Sequence, residues 1–267
     1  MAYSGRMAII AGGLGGLGSV TGKLLRSKGA KLAILYAPFE ASKKDAILNN
    51  VFGMSDPDGV TTYECDITSE ASVDQAFERI SMQLSPGVIP NILINAAGYV
   101  SVQPVEETLA DEAGKTIMAN LIGPLNVSRA FFKLYQAQIG EAKQHCTQLP
   151  PGRIVSISSQ AAHVALDGHA AYCASKAGLN GLTRCMANEW GPKGITSNTV
   201  SPTVAWTELG AKAWADDGKR EKMMSLIPTG RFCLPQEVAD AIEFLCRDES
   251  GMINGADLRI DGGFTIR

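Results

Sequence analysis

Tyr172 and Lys176 stand four residues apart in the run Tyr172-Cys173-Ala174-Ser175-Lys176, with Ser159 upstream. On a helix, residues at this spacing share a face, one turn above the other. A phenol and an ammonium held so can act as one unit. The positive charge favours the phenolate, so the spacing predicts a tyrosine pKa below its free value of about 10. Acting as a base near neutrality requires a fall of ~3 units, roughly 4 kcal/mol. One ammonium in a partly dry site supplies much of that, and a cationic cofactor the rest. Taken alone, a Tyr–Lys pair at this spacing marks only an exposed helix face, so its surroundings decide.

Those surroundings begin at the N-terminus. Residues 7–11 (MAIIA) are a short apolar run fit for a buried parallel strand. The glycine-rich turn 12–18 follows, then a helix over 19–27 closed by Gly29, then a strand over 31–36. Strand, glycine turn, helix, strand is a βαβ unit. Its glycines let the backbone approach a pyrophosphate at the helix N-terminus. Gly12, Gly16 and Gly18 form a G-x-x-x-G-x-G spacing rather than the usual G-x-G-x-x-G.

The unit repeats more loosely downstream. Strands are expected at 61–65, 91–95, 153–158, 195–201 and 257–260, with helices at 69–82, 109–137, up to 190 from the Tyr172 segment, and 236–246. Pro124 should disturb the long helix near Asn120. Polar 138–152 reads as a loop, and interrupted 202–227 as a mobile lid of short helices. The expected fold is α/β: one Rossmann-type domain over 1–267, a doubly wound parallel sheet with helices on both faces. Function then belongs at the C-terminal strand ends.

Composition removes several classes. The chain has 267 residues, 45% hydrophobic and 19% charged, with net charge -3. No Lys/Arg run suggests nucleic acid. No apolar run reaches the ~18 residues of a membrane span, and 1–6 lack the pattern of a signal peptide. Six scattered cysteines, none in a C-x-x-C pair, predict a reduced, metal-free, cytoplasmic protein.

The ordered set Gly12/Gly16/Gly18, Asp66, Asn95-Ala96-Ala97-Gly98, Asn120, Ser159, Tyr172 and Lys176 resembles the short-chain dehydrogenase/reductase family over nearly the whole chain. The resemblance implies that Tyr172 is the general acid/base and that Ser159 holds the substrate oxygen. It implies that Lys176 holds the nicotinamide ribose and lowers the Tyr172 pKa, and that Asn120 holds a water relaying protons to Lys176. This agrees with transfer at a carbonyl carbon whose oxygen takes its proton from a phenol. The implied cofactor residues are Gly12, Gly16, Leu17, Gly18, Tyr36, Asp66, Ile67, Asn95, Ala96, Gly98, Tyr172, Lys176, Pro202 and Thr207. The family's members are usually tetramers, so a homotetramer acting on a small molecule is expected.

The last third is similar to the polyol and ketose reductases of that family, from Ser201-Pro202-Thr203-Val204 through Thr207, Gly210 and Trp214 to Gly262-Gly263-Phe264. The likeness implies a sugar pocket lined by Ser159, Gln160, His169 and Trp214. Polar groups suit a polyhydroxylated substrate, because each hydroxyl taken from water needs a partner. His163 receives no role. An acyl-thioester, steroid or aromatic ketone is the alternative substrate, and a non-catalytic nucleotide-binding protein the alternative function. The second strand ends in Tyr36-Ala37-Pro38, where an NAD enzyme carries an acid for the ribose 2′-OH. With Ser42, Lys43 and Lys44 close behind, and Glu40 opposing them, NADP(H) is expected over NAD(H).

Overall fold

The computed structural model describes residues 1–144, 149–207, 210–211 and 214–266. Seven strands form one sheet: β1 (Arg6–Ala11), β2 (Lys31–Tyr36), β3 (Val60–Glu64), β4 (Ile89–Asn95), β5 (Gly152–Ile157), β6 (Ile195–Pro202) and β7 (Asp257–Ile260). Their order is β3-β2-β1-β4-β5-β6-β7, and every pairing is parallel. The helices are α1 (Gly16–Ser27), α2 (Lys44–Phe52), α3 (Glu70–Met82), α4 (Ala110–Ile117), α5 (Gly123–Gln144), α6 (Ala170–Trp190), α7 (Asp217–Ser225) and α8 (Pro235–Cys246). This is the expected doubly wound α/β fold.

The strands are apolar throughout because both faces of the sheet are covered. Side chains alternate between two cores. Ala8 and Ile10 of β1 join Leu25 of α1 and Val238, Ile242 and Leu245 of α8. Met7, Ile9 and Ala11 join Phe77 and Ile80 of α3 and Val127 and Phe131 of α5. Each fully buried Ile or Leu contributes about 2 kcal/mol. The β1–β4 register shifts between Met7 and Ala8, opposite Pro90, which has no N–H to give.

The chain builds outward from β1 to β3, then crosses back to place β4 on the other side of β1. This reversal opens a crevice at the C-terminal ends of β1 and β4, next to Gly12 and Asn95.

The structure corrects where one expected helix starts and another ends, adds elements that were not assigned, and bears out the disturbance expected near Asn120. α1 starts at Gly16 rather than 19, so Gly16 and Gly18 lie in its first turn. Residues 38–52, unassigned from sequence, form a 3₁₀ turn (Pro38–Lys43) and then α2. The long helix is divided by a π turn, Met118–Ile122, around Asn120. Pro124 cannot give the Asn120 carbonyl its i+4 hydrogen bond, and the backbone widens so that Gly123 N–H donates to the Met118 carbonyl, five residues back. Finally, α5 continues to Gln144, into the expected loop. Polar residues there, such as Glu141, Lys143 and Gln144, are good helix formers, so polarity alone did not mark a loop. Residues 145–148 of that loop, with Cys146, and 208–209 and 212–213 of the expected lid lie outside the described residues. Within the lid α7 is helical.

Candidate active site

Ser159 follows β5, its backbone still extended, and caps a short 3₁₀ turn, Gln160–Ala162. Its Oγ accepts from the Ala161 N–H at 3.1 Å, and its hydroxyl lies close enough to the Tyr172 phenol to favour the phenolate. Tyr172 lies in the first turn of α6 and Lys176 one turn on. The Lys176 ammonium is buried, donates to the Ile157 carbonyl at 2.8 Å, and sits 5.7 Å from the Tyr172 ring centre. The serine, the phenol and the ammonium therefore converge at the C-terminal end of β5.

The charge balance differs from the expectation. Burial pushes the Tyr172 pKa up, the Ser159 hydroxyl pulls part of it back, and the net direction is upward. Lys176 does not reverse this, because burial lowers its own pKa to about 8 and its ammonium is turned to a carbonyl. The protein's own groups hold Tyr172 as the neutral phenol.

Asn120 is fully buried. Its amide closes on the backbone of Tyr99: Nδ2 donates to the Tyr99 carbonyl at 2.8 Å and Oδ1 accepts from the Tyr99 N–H at 2.7 Å. Nδ2 also reaches Ser175 Oγ at 3.0 Å. The side chain thus fixes the loop after β4 against α6. Gly98 lies between: a Cβ there would stand 3.4 Å from Asn120 Oδ1 and 3.8 Å from Lys176 Nζ.

The glycine turn packs closely against its neighbours. Gly12 has φ 77°, and a Cβ would fall 2.6 Å from the Ala97 nitrogen. A Cβ on Gly16 would meet Thr207 Cγ2 at 2.8 Å, which places Thr207 over the N-terminus of α1. Leu17 packs partly into the core, and Pro202 ends β6. Ala96 N–H donates to the Ala11 carbonyl at 2.8 Å, joining the two strand ends. Asn95 turns its amide inward to Ser128 and Ser156, so its backbone, not its side chain, faces the crevice. Asp66 Oδ1 accepts from Thr68 N–H and hydroxyl, and Ile67 packs where a Gly123 Cβ would stand. Tyr36 is half-buried at the end of β2. Glu40 Oε2 accepts from the Ala37 N–H at 2.8 Å, and Lys44 pairs with Asp45 at 3.2 Å.

Of the expected substrate residues, Gln160 is buried and its Oε1 has no hydrogen-bond partner among the described residues. His169 packs edge-on to Tyr172, with ring centres 6.1 Å apart. Its Nδ1 lies 2.7 Å from the Asp167 carbonyl, which only accepts, so Nδ1 carries the hydrogen and a neutral ring offers Nε2 as an acceptor. Trp214 packs edge-on to Phe232 at 5.4 Å, beside Trp206. Tyr99 and Gln103 were missed. Tyr99 could have been found from its place directly after Asn95-Ala96-Ala97-Gly98. Gln103 bridges backbone to His169, and no local sequence signal marks it.

A cleft of about 750 Å³ opens at the other end of the sheet, lined by Lys23, Arg26, Lys31, Asn50 and Phe52 among others. None of the groups above reaches it. Among the described residues no group of three or more His, Cys, Asp or Glu is placed to hold a metal ion, and no helix is long and apolar enough to cross a membrane.

A crevice over a glycine turn, with Ser, Tyr and Lys at the neighbouring strand end, matches a known family in sequence as well. The family model described as enoyl-(acyl carrier protein) reductase matches residues 12–265. The chain belongs to the short-chain dehydrogenase/reductase family, and it is an oxidoreductase acting on a CH–OH/C=O pair. It is 39% identical to the D-threitol dehydrogenase of Mycolicibacterium smegmatis, over 98% of this chain and 94% of that one. It is 35% identical to an NAD-dependent glycerol dehydrogenase of Listeria innocua, over 98% and 94%. With the L-xylulose reductase of Bos taurus it shares 32% identity over 98% and 97%. Among solved structures, a gluconate 5-dehydrogenase from Burkholderia cenocepacia in complex with NADP and tartrate superposes with a TM-score of 0.83, at 26% identity over 99% and 96%.

Proposed function

We propose that the protein interconverts a ketose and its polyol, with NADP(H) preferred to NAD(H). The observation that carries the substrate class is the unpartnered, buried Gln160 Oε1 beside Ser159, with the His169 Nε2 acceptor by Tyr172. Acceptors without donors suit a ligand rich in hydroxyl groups. The names of the three relatives, a threitol dehydrogenase, a glycerol dehydrogenase and an L-xylulose reductase, point the same way.

The residues fit a dinucleotide. α1 begins at Gly16 with no side-chain cap, so the N–H groups of its first turn, beside Thr207, are free to receive a pyrophosphate. Gly18, Leu17, Asp66, Ile67, Asn95, Ala96, Gly98 and Pro202 would line the rest, with Lys176 at the ribose. When bound, the nicotinamide supplies the hydride chemistry. Ser159 orients the substrate oxygen. Tyr172 gives that oxygen a proton during reduction and takes one during oxidation. Because burial keeps the phenol protonated, the chain is poised as an acid at neutral pH, and oxidation should speed up as pH rises. At the 2′ position, Tyr36 presents no carboxylate, Glu40 is spent on the Ala37 N–H, and Lys43 is exposed. The Listeria relative's name argues for NAD, and the NADP of the Burkholderia structure for NADP. The same reading takes 1–267 as one domain with 202–227 as its lid, in a cytoplasmic homotetramer. Exposed Val102, Val105, Leu109 and Met118 around α4 support an assembly face.

The test is one panel: L-xylulose, tetruloses, hexuloses and a bulky hydrophobic ketone, each with NADPH and NADH. Higher kcat/KM for the hydrophobic ketone ends the sugar reading, and equal or tighter NADH binding ends the cofactor preference. Gln160→Leu should cost roughly 1–3 kcal/mol in kcat/KM for the sugar. Tyr172→Phe should lower kcat by about 10³-fold or more while cofactor still binds. Wild-type kcat in that variant would remove Tyr172 from the mechanism.

A further inference from the structure

His163, which has no part in the chemistry above, ends the short turn that Ser159 begins. The turn spans three residues, Gln160–Ala162, too few to hold its shape unaided. Its bonds are local: Ala161 N–H to Ser159 Oγ at 3.1 Å, Ala162 N–H to the Ser159 carbonyl at 3.0 Å, and His163 N–H to the Gln160 carbonyl at 2.9 Å. The first of these matters for the site. A serine oxygen that accepts from the Ala161 N–H has its position fixed on that side, which leaves its own hydrogen free to turn to Tyr172.

The far end of the turn is anchored through the His163 ring. Nε2 lies 2.7 Å from Asp257 Oδ2. A carboxylate oxygen only accepts, so Nε2 carries the hydrogen whichever charge the ring bears. Asp257 is itself held: its Oδ1 accepts from the Thr199 and Ser201 hydroxyls, each at 2.6 Å. Asn180 of α6 lies against the same ring, its Nδ2 3.5 Å from Nε2. His163 is exposed as a residue, but its side chain keeps only 21% of its area in solvent and that of Asp257 17%. The ring therefore ties the Ser159 turn to Asp257 of β7 and, through that carboxylate, to Thr199 and Ser201 of β6.

We propose that His163 is a positioning residue: held by Asp257, it fixes the turn that sets the direction of the Ser159 hydroxyl. This rests on the reading of Ser159 and Tyr172 given above. An isolated three-residue turn would fray, and Ser159 Oγ would lose the Ala161 N–H that orients it. The loss would fall on catalysis rather than on cofactor binding, because the glycine turn lies at β1, across β4 from β5.

The experiment compares His163→Ala and His163→Gln with wild type by two readouts. One is amide hydrogen exchange over 158–164. The other is steady-state kinetics on any ketose or polyol that wild type turns over. In His163→Ala, exchange at the Ala161 amide should rise at least tenfold and kcat fall at least tenfold, with the cofactor dissociation constant unchanged. The glutamine amide places an N–H near the position of Nε2, so His163→Gln should recover most of both. Wild-type exchange and kcat in His163→Ala, or a glutamine variant no better than alanine, would overturn the proposal. If the alanine variant does not fold, Asp257→Ala replaces it, since removing the carboxylate takes away the acceptor of the His163 Nε2–H; exchange and kcat at wild-type values there would likewise overturn the proposal. Failure of the functional reading is distinguishable: wild type would then turn over no sugar, while the exchange result would still decide the role of His163.

Discussion

Lys176 is buried with its ammonium against the Ile157 carbonyl, and burial lowers its pKa to about 8. In an unfolded chain a lysine titrates near 10.4. Between those values the unfolded chain binds more protons than the folded one, so stability rises with pH across that window. Below about pH 8 the folded protein carries the full burden of the buried charge, roughly 3 kcal/mol. Lys176→Met should therefore abolish turnover and yet raise the stability of the cofactor-free protein at pH 7. Denaturant unfolding of both proteins checks this, and the gain should shrink by pH 10. A destabilised methionine variant at pH 7 would mean that the lysine bond to Ile157 outweighs its desolvation. The sign of the Tyr172 shift was not legible in the sequence for a related reason. Spacing places the two side chains on one face, but how deeply each is buried and which way the ammonium turns depend on β5.

The π turn at Met118–Ile122 exists because Pro124 withholds an N–H, and it delivers the Asn120 amide to the Tyr99 backbone. Pro124→Ala would return that donor and allow the helix to run regularly from α4 into α5. The expected outcome is unchanged or higher thermal stability with kcat lowered several-fold, because Asn120 would rotate away from Tyr99 and Ser175. Calorimetry with kinetics tests it, and unchanged kcat would show that the Asn120 clamp is dispensable. This irregularity was readable in advance, since a proline in a helical pattern has one physical meaning. The strands were readable too, because a parallel sheet buried on both faces demands continuous apolar runs such as 31–36. α2 was not assigned, although Ile47, Leu48, Val51 and Phe52 recur at helical spacing: the stripe is two turns long and only Leu48 is fully buried. The position of Tyr99 was readable from Asn95-Ala96-Ala97-Gly98 before it, but its tie to Asn120 was not, because that tie runs through its backbone.

Across the molecule, Glu243 of α8 gathers distant segments. Its carboxylate accepts from Tyr3 at 3.0 Å, from Lys28 at 3.0 Å, and from Arg247 at 2.9 and 2.6 Å. Burial pushes its pKa up, but the bonds from Arg247, Lys28 and Tyr3 more than reverse this, and the net direction is downward. A carboxylate depressed on folding stabilises above its unfolded value of about 4.3 and loses that contribution as pH falls through its folded pKa. Glu243→Leu should leave Tyr3, Lys28 and Arg247 without their shared acceptor and lower stability at pH 7. It should also flatten the stability profile below pH 4.5. Unfolding curves from pH 3 to 7 measure both, and a variant as acid-sensitive as wild type would place the acid-labile group elsewhere. The hub has a consequence in time. Leu25 of α1 is covered by Val238, Ile242 and Leu245 of α8, and Tyr3 reaches its acceptor 240 residues later. During synthesis, the helix that roofs the first strand is made early, but its buried face has no cover until nearly the entire chain has left the ribosome. At ~5–20 residues per second, that face waits on the order of tens of seconds, and a chaperone meeting this chain would find it exposed.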